Sequence, residues 1–165
     1  LSNPIAVTIV AYALAVAVNV YYFCFGDDLT IVVSRTMFAD MLLVLSLVPV
    51  YRAVQIKNSG DFDSMVERLK AGLKPVAMYT FLIALTTFIL FKMCGEPLVA
   101  QRMLEIKTAV DNALIEGKIT EAEAAQQLEM TRQFYSPTFH VAIVLLGNLF
   151  TGFVSAILAS VLVKK

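Results

Sequence analysis

Four stretches of this chain are too apolar and too long to fold away inside a domain of its size. They run from about Pro4 to Phe25, Leu29 to Tyr51, Pro75 to Met93 and Phe139 to Val163. A helix rises 1.5 Å per residue, so about 20 residues cross the hydrocarbon core of a bilayer. Each stretch is of that order. With 59% of 165 residues apolar, against roughly half in soluble domains, a water-soluble core has no room for the surplus. The sequence therefore predicts an all-α, polytopic membrane protein with four transmembrane helices in a single domain, 1–165. The first stretch is longer than a signal peptide, lacks a basic start and is followed by no cleavage pattern, so it is expected to be a span.

Charge sets the expected orientation. Net charge is zero, which gives no electrostatic case for a nucleic-acid partner. The link from Tyr51 to Lys74 holds Arg52, Lys57, Arg68, Lys70 and Lys74, and the tail ends in Lys164 and Lys165. The Gly26-Asp27-Asp28 turn has no basic residue, and the link from Cys94 to Thr138 has seven acidic side chains to four basic. Counting Lys and Arg beside the spans puts both termini and the 51–74 link in the cytoplasm. In a bacterial inner membrane the 94–138 link would then be periplasmic.

Both longer links read as helical. Phe62, Met65, Val66, Leu69 and Leu73 recur at helical spacing, with Ser64 and Glu67 at capping-box spacing and Arg68, Lys70 and Lys74 close by. The expectation is an amphipathic helix over about 62–73, lying on the cytoplasmic membrane surface; a solvated helix packed on its own bundle is the alternative. The outer link predicts a hairpin over about 97–135. Its first helix has the stripe Val99, Met103, Ile106, Val110 and Ala113 and ends at Gly117, and Thr120 with Glu123 caps the second. Ser136-Pro137 stops that helix and opens the last span.

Lipid supplies no hydrophobic drive between helices, so small and polar side chains join them. Ala11, Ala15 and Asn19 lie four apart in the first span. Asn148, Gly152, Ala156 and Ser160 lie four apart in the last. Residues four apart share a helix face. The two strips are expected to face each other, with the Asn side chains meeting.

Candidate chemistry is sparse. If the second span begins near Leu29, Asp40 lies about 10 residues in, about 15 Å and near mid-bilayer, where an acid faces protein or water and marks either a proton or ligand site or a hydrogen-bonded packing acid; if the span begins nearer Arg35, Asp40 lies much shallower. Arg35 sits about 140° round the helix from it, so Asn19, Asn148 or His140 are better partners. His140, the only histidine, has no companion at ligand spacing, so no metal site is expected. No base is evident beside Ser136, and no nucleotide loop is present, so catalytic and cofactor-binding residues are expected to be none. Cys24 and Cys94 close the first and third spans, both on the proposed outer face, where one bridge is permitted by count; spacing does not show whether they come within reach.

Taken in order, the chain has two spans, "FDSMVERLKAGLK", a third span, an acidic helical link, "QFYSPTF", and a last span ending "GFVSAILASVLVKK". This order resembles a family of small inner-membrane proteins of Bacteroidota, catalogued as domain of unknown function forty-one ninety-nine, over almost the full chain. Phe62 to Gly72 and the ending from Gly152-x-x-Ser155 to Lys165 carry most of the likeness, and Asp40 lies in none of the quoted stretches. The resemblance supplies no catalytic residues. Its members are often encoded near membrane glycosyltransferases of the polyprenyl-phosphate type, which implies an accessory role.

The leading expectation is thus a non-catalytic accessory or scaffold protein in the lipid bilayer, binding a membrane glycosyltransferase, another cell-envelope protein or itself as a homo-oligomer. Two readings compete with it. One is a small transporter or proton-coupled module using Asp40. The other is an enzyme on a lipid-linked substrate, with Arg52, Lys74 and Lys92 meeting phosphate.

Overall fold

The computed structural model describes residues 3–163; the tail lysines Lys164 and Lys165, used above for orientation, lie outside the described residues. The architecture is all-helical: α1 (Pro4–Phe25), α2 (Leu29–Ser59), α3 (Met65–Leu90), a five-residue π turn (Phe91–Gly95), α4 (Glu96–Ile115), α5 (Glu121–Phe134) and α6 (Pro137–Leu162). α1, α2, the run from α3 into α4, and α6 are each long and apolar enough to cross a membrane. They run up, down, up and down. The Gly26 turn and the α4–α5 hairpin therefore share one end, the hairpin end, and the α2–α3 link is at the other.

Local chemistry accounts for most boundaries. Asp28 caps α2 by accepting from the amides of Thr30 (2.7 Å) and Ile31 (3.1 Å). These bonds hold its carboxyl below the ordinary range, because they favour the ionised form. Ser64 opens α3 by accepting from Glu67 N–H. Thr120 and Glu123 bond reciprocally in a capping box at the start of α5. Ser136 opens α6 by accepting from Phe139 N–H, with Pro137 in the first turn, where its missing N–H costs nothing. Gly117 ends α4 at φ +69°, a conformation that side chains with a Cβ resist.

Two expectations change. The stretch 62–73 is not a separate surface helix: Phe62 precedes the Ser64 cap and lies outside the helix, and only residues 65–73 are helical. They are the first turns of α3, which passes unbroken through Pro75. Leu69 and Leu73 pack on the bundle core while Met65 and Val66 stay exposed, so the amphipathic stripe is real but serves as an extension of the span. The helix of the third span also runs on past Met93. It continues through the π turn into α4.

The second change is in the pairing of spans. α1 and α6 do not lie side by side; each lies against both α2 and α3. The small strip of α6 faces α3: a methyl built on Gly152 would fall 2.2 Å from Val76 Cγ1, and one on Gly72 would fall 3.1 Å from Ala156 Cβ. α6 is also tied to α2 by Ser155 Oγ donating to the Leu45 carbonyl (3.2 Å). α1 joins the other flank, with Tyr12 OH and Thr86 Oγ1 2.8 Å apart. Ala11, Ala15, Asn19, Asn148, Gly152, Ala156 and Ser160 are all buried. Each strip is spent on a central helix, not on the other strip.

Candidate functional site: a polar hub inside the bundle

Each of the four spans sends one polar side chain to the middle of the bundle: Asn19 from α1, Asp40 from α2, Tyr79 from α3 and Asn148 from α6. All four are buried, Asp40 at 1% exposure. Asn19 Nδ2 donates to Asp40 Oδ1 (3.1 Å) and to the carbonyl of Ala15 one turn back (2.9 Å). Tyr79 OH donates to the same Asp40 oxygen (3.3 Å). The carboxylate thus meets two neutral donors and no cation. Arg35 turns away and lies over the Tyr22 ring, 5.7 Å from its centroid.

The hub is not saturated. Asp40 Oδ2, Asn19 Oδ1 and Asn148 Nδ2 have no hydrogen-bond partner. Asp40 and Asn148 line a small void of about 10 Å³ between α2 and α6, about the size of one water-sized sphere. A water there would donate to a carboxylate oxygen and accept from an amide. Met37 and Met41 wall this void and also floor a larger apolar groove of about 460 Å³ that runs to Leu29, Tyr135 and His140 at the hairpin end. Met37 and Met41 therefore stand between the hub and the groove.

His140 does not join the hub. Its ring packs on Phe91, centroids 4.8 Å apart, and Nδ1 lies 3.3 Å from the Ser136 carbonyl. Ser136 is occupied as a helix cap, so Ser136, His140 and Asp40 form no relay. Among the described residues, no three His, Cys, Asp or Glu side chains are grouped as metal ligands. Cys24 and Cys94 do come together, their sulfurs 2.7 Å apart.

At the opposite end, Arg52 is 1% exposed. It pairs with Asp61, donates to Gln55 Oε1 (3.2 Å) and lies over the Phe62 ring, 5.0 Å from its centroid. Arg68 joins from α3, with Nε 3.6 Å from Asp61 and donating to the Phe62 carbonyl (3.0 Å). Arg52 is thus enclosed, Lys92 pairs with Glu96, and Lys70 and Lys74 remain outside this cluster.

Sequence reasoning missed Tyr79 and Asp61. Tyr79 sits among apolar residues in a span, and a phenol at that depth needs a partner; that signal was available. No local pattern links Asp61 to Arg52.

No curated protein and no solved structure matches the chain. A family model does: the one described as protein of unknown function (DUF4199) matches residues 6–165, which takes in all four spans, the hub and the hairpin, and the chain belongs to that family.

Proposed function

We propose that the protein is a non-catalytic accessory of the bacterial inner membrane that uses its α4–α5 hairpin to hold a second envelope protein. One observation carries this reading. The hairpin leaves Ile115, Leu104 and Met130 at 83%, 67% and 60% exposure, on helices whose other residues include Glu105, Lys107, Glu116 and Glu129. Exposed apolar side chains on the four spans themselves have lipid to meet. Here the charged neighbours call for water, and large apolar side chains in water mark a contact surface. A cleft of about 580 Å³ between α4 and α5, edged by Met103, Leu104, Leu128 and Arg132, adds shape to it. The family's association with membrane glycosyltransferases suggests the class of partner, and a second copy of the chain is the other candidate. The orientation that fits is the hairpin in the periplasm and both termini in the cytoplasm.

The test is gentle-detergent purification at native expression, with assembly mass, of the wild type beside Leu104→Ser/Met130→Ser. A stoichiometric envelope protein that is lost from the variant, with the variant still helical and monodisperse, supports the reading. Identical behaviour of both proteins refutes it.

A second reading is favoured by Asp40 Oδ2, which is buried beside a void with no partner: a proton-coupled module. Asp40→Asn keeps the shape and removes the ionisable group. Loss of an ion-dependent flux in vesicles with the fold intact would favour this reading, and unchanged flux would remove it.

A further inference from the structure

We propose that Cys24 and Cys94 are a redox pair, held in the cell as an intramolecular disulfide that clasps α1 to the foot of the α4–α5 hairpin.

The two sulfurs are 2.7 Å apart, inside the van der Waals contact of unbonded sulfur atoms. They are 70 residues apart in sequence, so the fold alone makes the approach. Two local features produce it. Cys94 lies in the π turn, Phe91–Gly95. A π turn carries one residue more than an α turn and re-aims the side chains within it, which is why such turns recur at functional sites. Gly95, next in sequence, leaves room for the Phe91 ring of the same turn, which would lie 3.3 Å from an added methyl, while the Phe23 ring of α1 stays at an ordinary contact distance of 3.6 Å. Phe23 and Phe91 then meet edge to face, centroids 5.8 Å apart, both buried. Each cysteine is therefore braced by an aromatic neighbour on its own helix, and the pair is held in register.

Access is also provided. Cys24 is exposed and Cys94 half-buried. They lie at the hairpin end, Cys24 in the last turn of α1 just before the Asp27-Asp28 turn, the end that the proposed orientation puts in the periplasm. The reagent required is a disulfide-bearing exchange protein or low-molecular-weight disulfide. One cysteine, as thiolate, attacks a sulfur of that disulfide, giving a mixed disulfide and expelling one thiolate. The second cysteine then attacks the mixed disulfide, forming the Cys24–Cys94 bond. Two protons leave the protein thiols, and two electrons pass to the reagent, which departs as two thiols. The bond spans the joint where α3 becomes α4, so it fixes the base of the hairpin to α1.

The experiment traps thiols in intact cells by acid quench and alkylation with N-ethylmaleimide, then reads the intact mass of the full chain. The expected result is no adduct without reduction, two adducts when reduction precedes alkylation, and a single linked peptide pair containing Cys24 and Cys94. Cys24→Ser should carry one adduct without reduction. Two adducts on the unreduced wild type, or disulfide-linked dimers, would overturn the proposal. On the purified protein, reduction should raise amide exchange in the first turns of α4 several-fold. No change there would refute the clasp as a constraint on the hairpin.

Discussion

Gly152 on α6 and Val76 on α3 lie closer than any residue with a Cβ allows: a methyl on Gly152 would fall 2.2 Å from Val76 Cγ1 and 2.7 Å from Cγ2. Both branches of a stiff β-branched side chain point at the gap, so rotation of Val76 does not relieve the clash. Gly152→Ala is therefore expected to destabilise the bundle by about 1–3 kcal/mol, the usual range for an overpacked core, despite the better helix propensity of Ala. Gly147 has nothing within 4 Å of the same added methyl, and Gly147→Ala should be neutral or mildly stabilising. Thermal unfolding of the two variants in one detergent checks the contrast.

The hub predicts a graded response at Asp40. Asp40→Asn keeps an oxygen for Asn19 and Tyr79 and should change stability little. Asp40→Leu leaves two buried donors without an acceptor, a loss of about 1–3 kcal/mol for each stranded group. Equal stability of the two variants would mean that the bonds to Asn19 and Tyr79 do not hold the bundle.

At the other end, Asp61→Ala should cost about 3–5 kcal/mol, because it strands the buried Arg52 guanidinium. Arg52→Met/Asp61→Ala should recover most of that loss, since the only guanidinium then without its carboxylate is that of Arg68, which is less buried. A denaturation series on the two single variants and the double variant measures the coupling.

Acid should loosen the hairpin end first. Asp28 and Glu123 both titrate below their ordinary values of 3.8 and 4.5, each chiefly because a backbone amide donates to it. A depressed pKa contributes stability that is present above the ordinary value and is lost as pH falls through the depressed one. Between pH 7 and 5 amide exchange in the first turns of α2 and α5 should be steady, apart from its intrinsic pH dependence. Below about pH 4 protection there should fall before that of the α3–α6 contact. Asp28→Asn with Glu123→Gln should abolish the step.

The parts legible in the sequence were those whose cause is local. Ser64, Thr120 and Ser136 each act on amides three residues away, and Gly117 answers to its own φ, so a one-dimensional reading reaches them. Four spans follow from length and apolarity alone. The partner of a helix face does not. The strips on α1 and α6 share a composition, and that likeness suggested a mutual pairing, yet a smooth face fits any neighbour of matching shape, and Val76 and Gly72 supplied it from α3. Asp40 was legible as a buried acid and Asn19 as one of its candidate partners. Tyr79 is harder to see, because a phenol in a span sits among apolar rings. Arg52 looked like a head-group ligand because its partner, Asp61, arrives only when the α2–α3 link folds back. Nothing in "FKMCG" announces a π turn; that extra residue is a product of packing.

The run from Met65 to Ile115 is 51 residues of unbroken helical winding, a rod of about 77 Å that spans the membrane and still projects well beyond it. A rod transmits torque. With the π turn set in its middle, the angular phase of the hairpin relative to the bundle is fixed by a single surplus residue. Removing that residue would swing every side chain of α4 by about 100° relative to α3 and carry Leu104 to a different compass bearing.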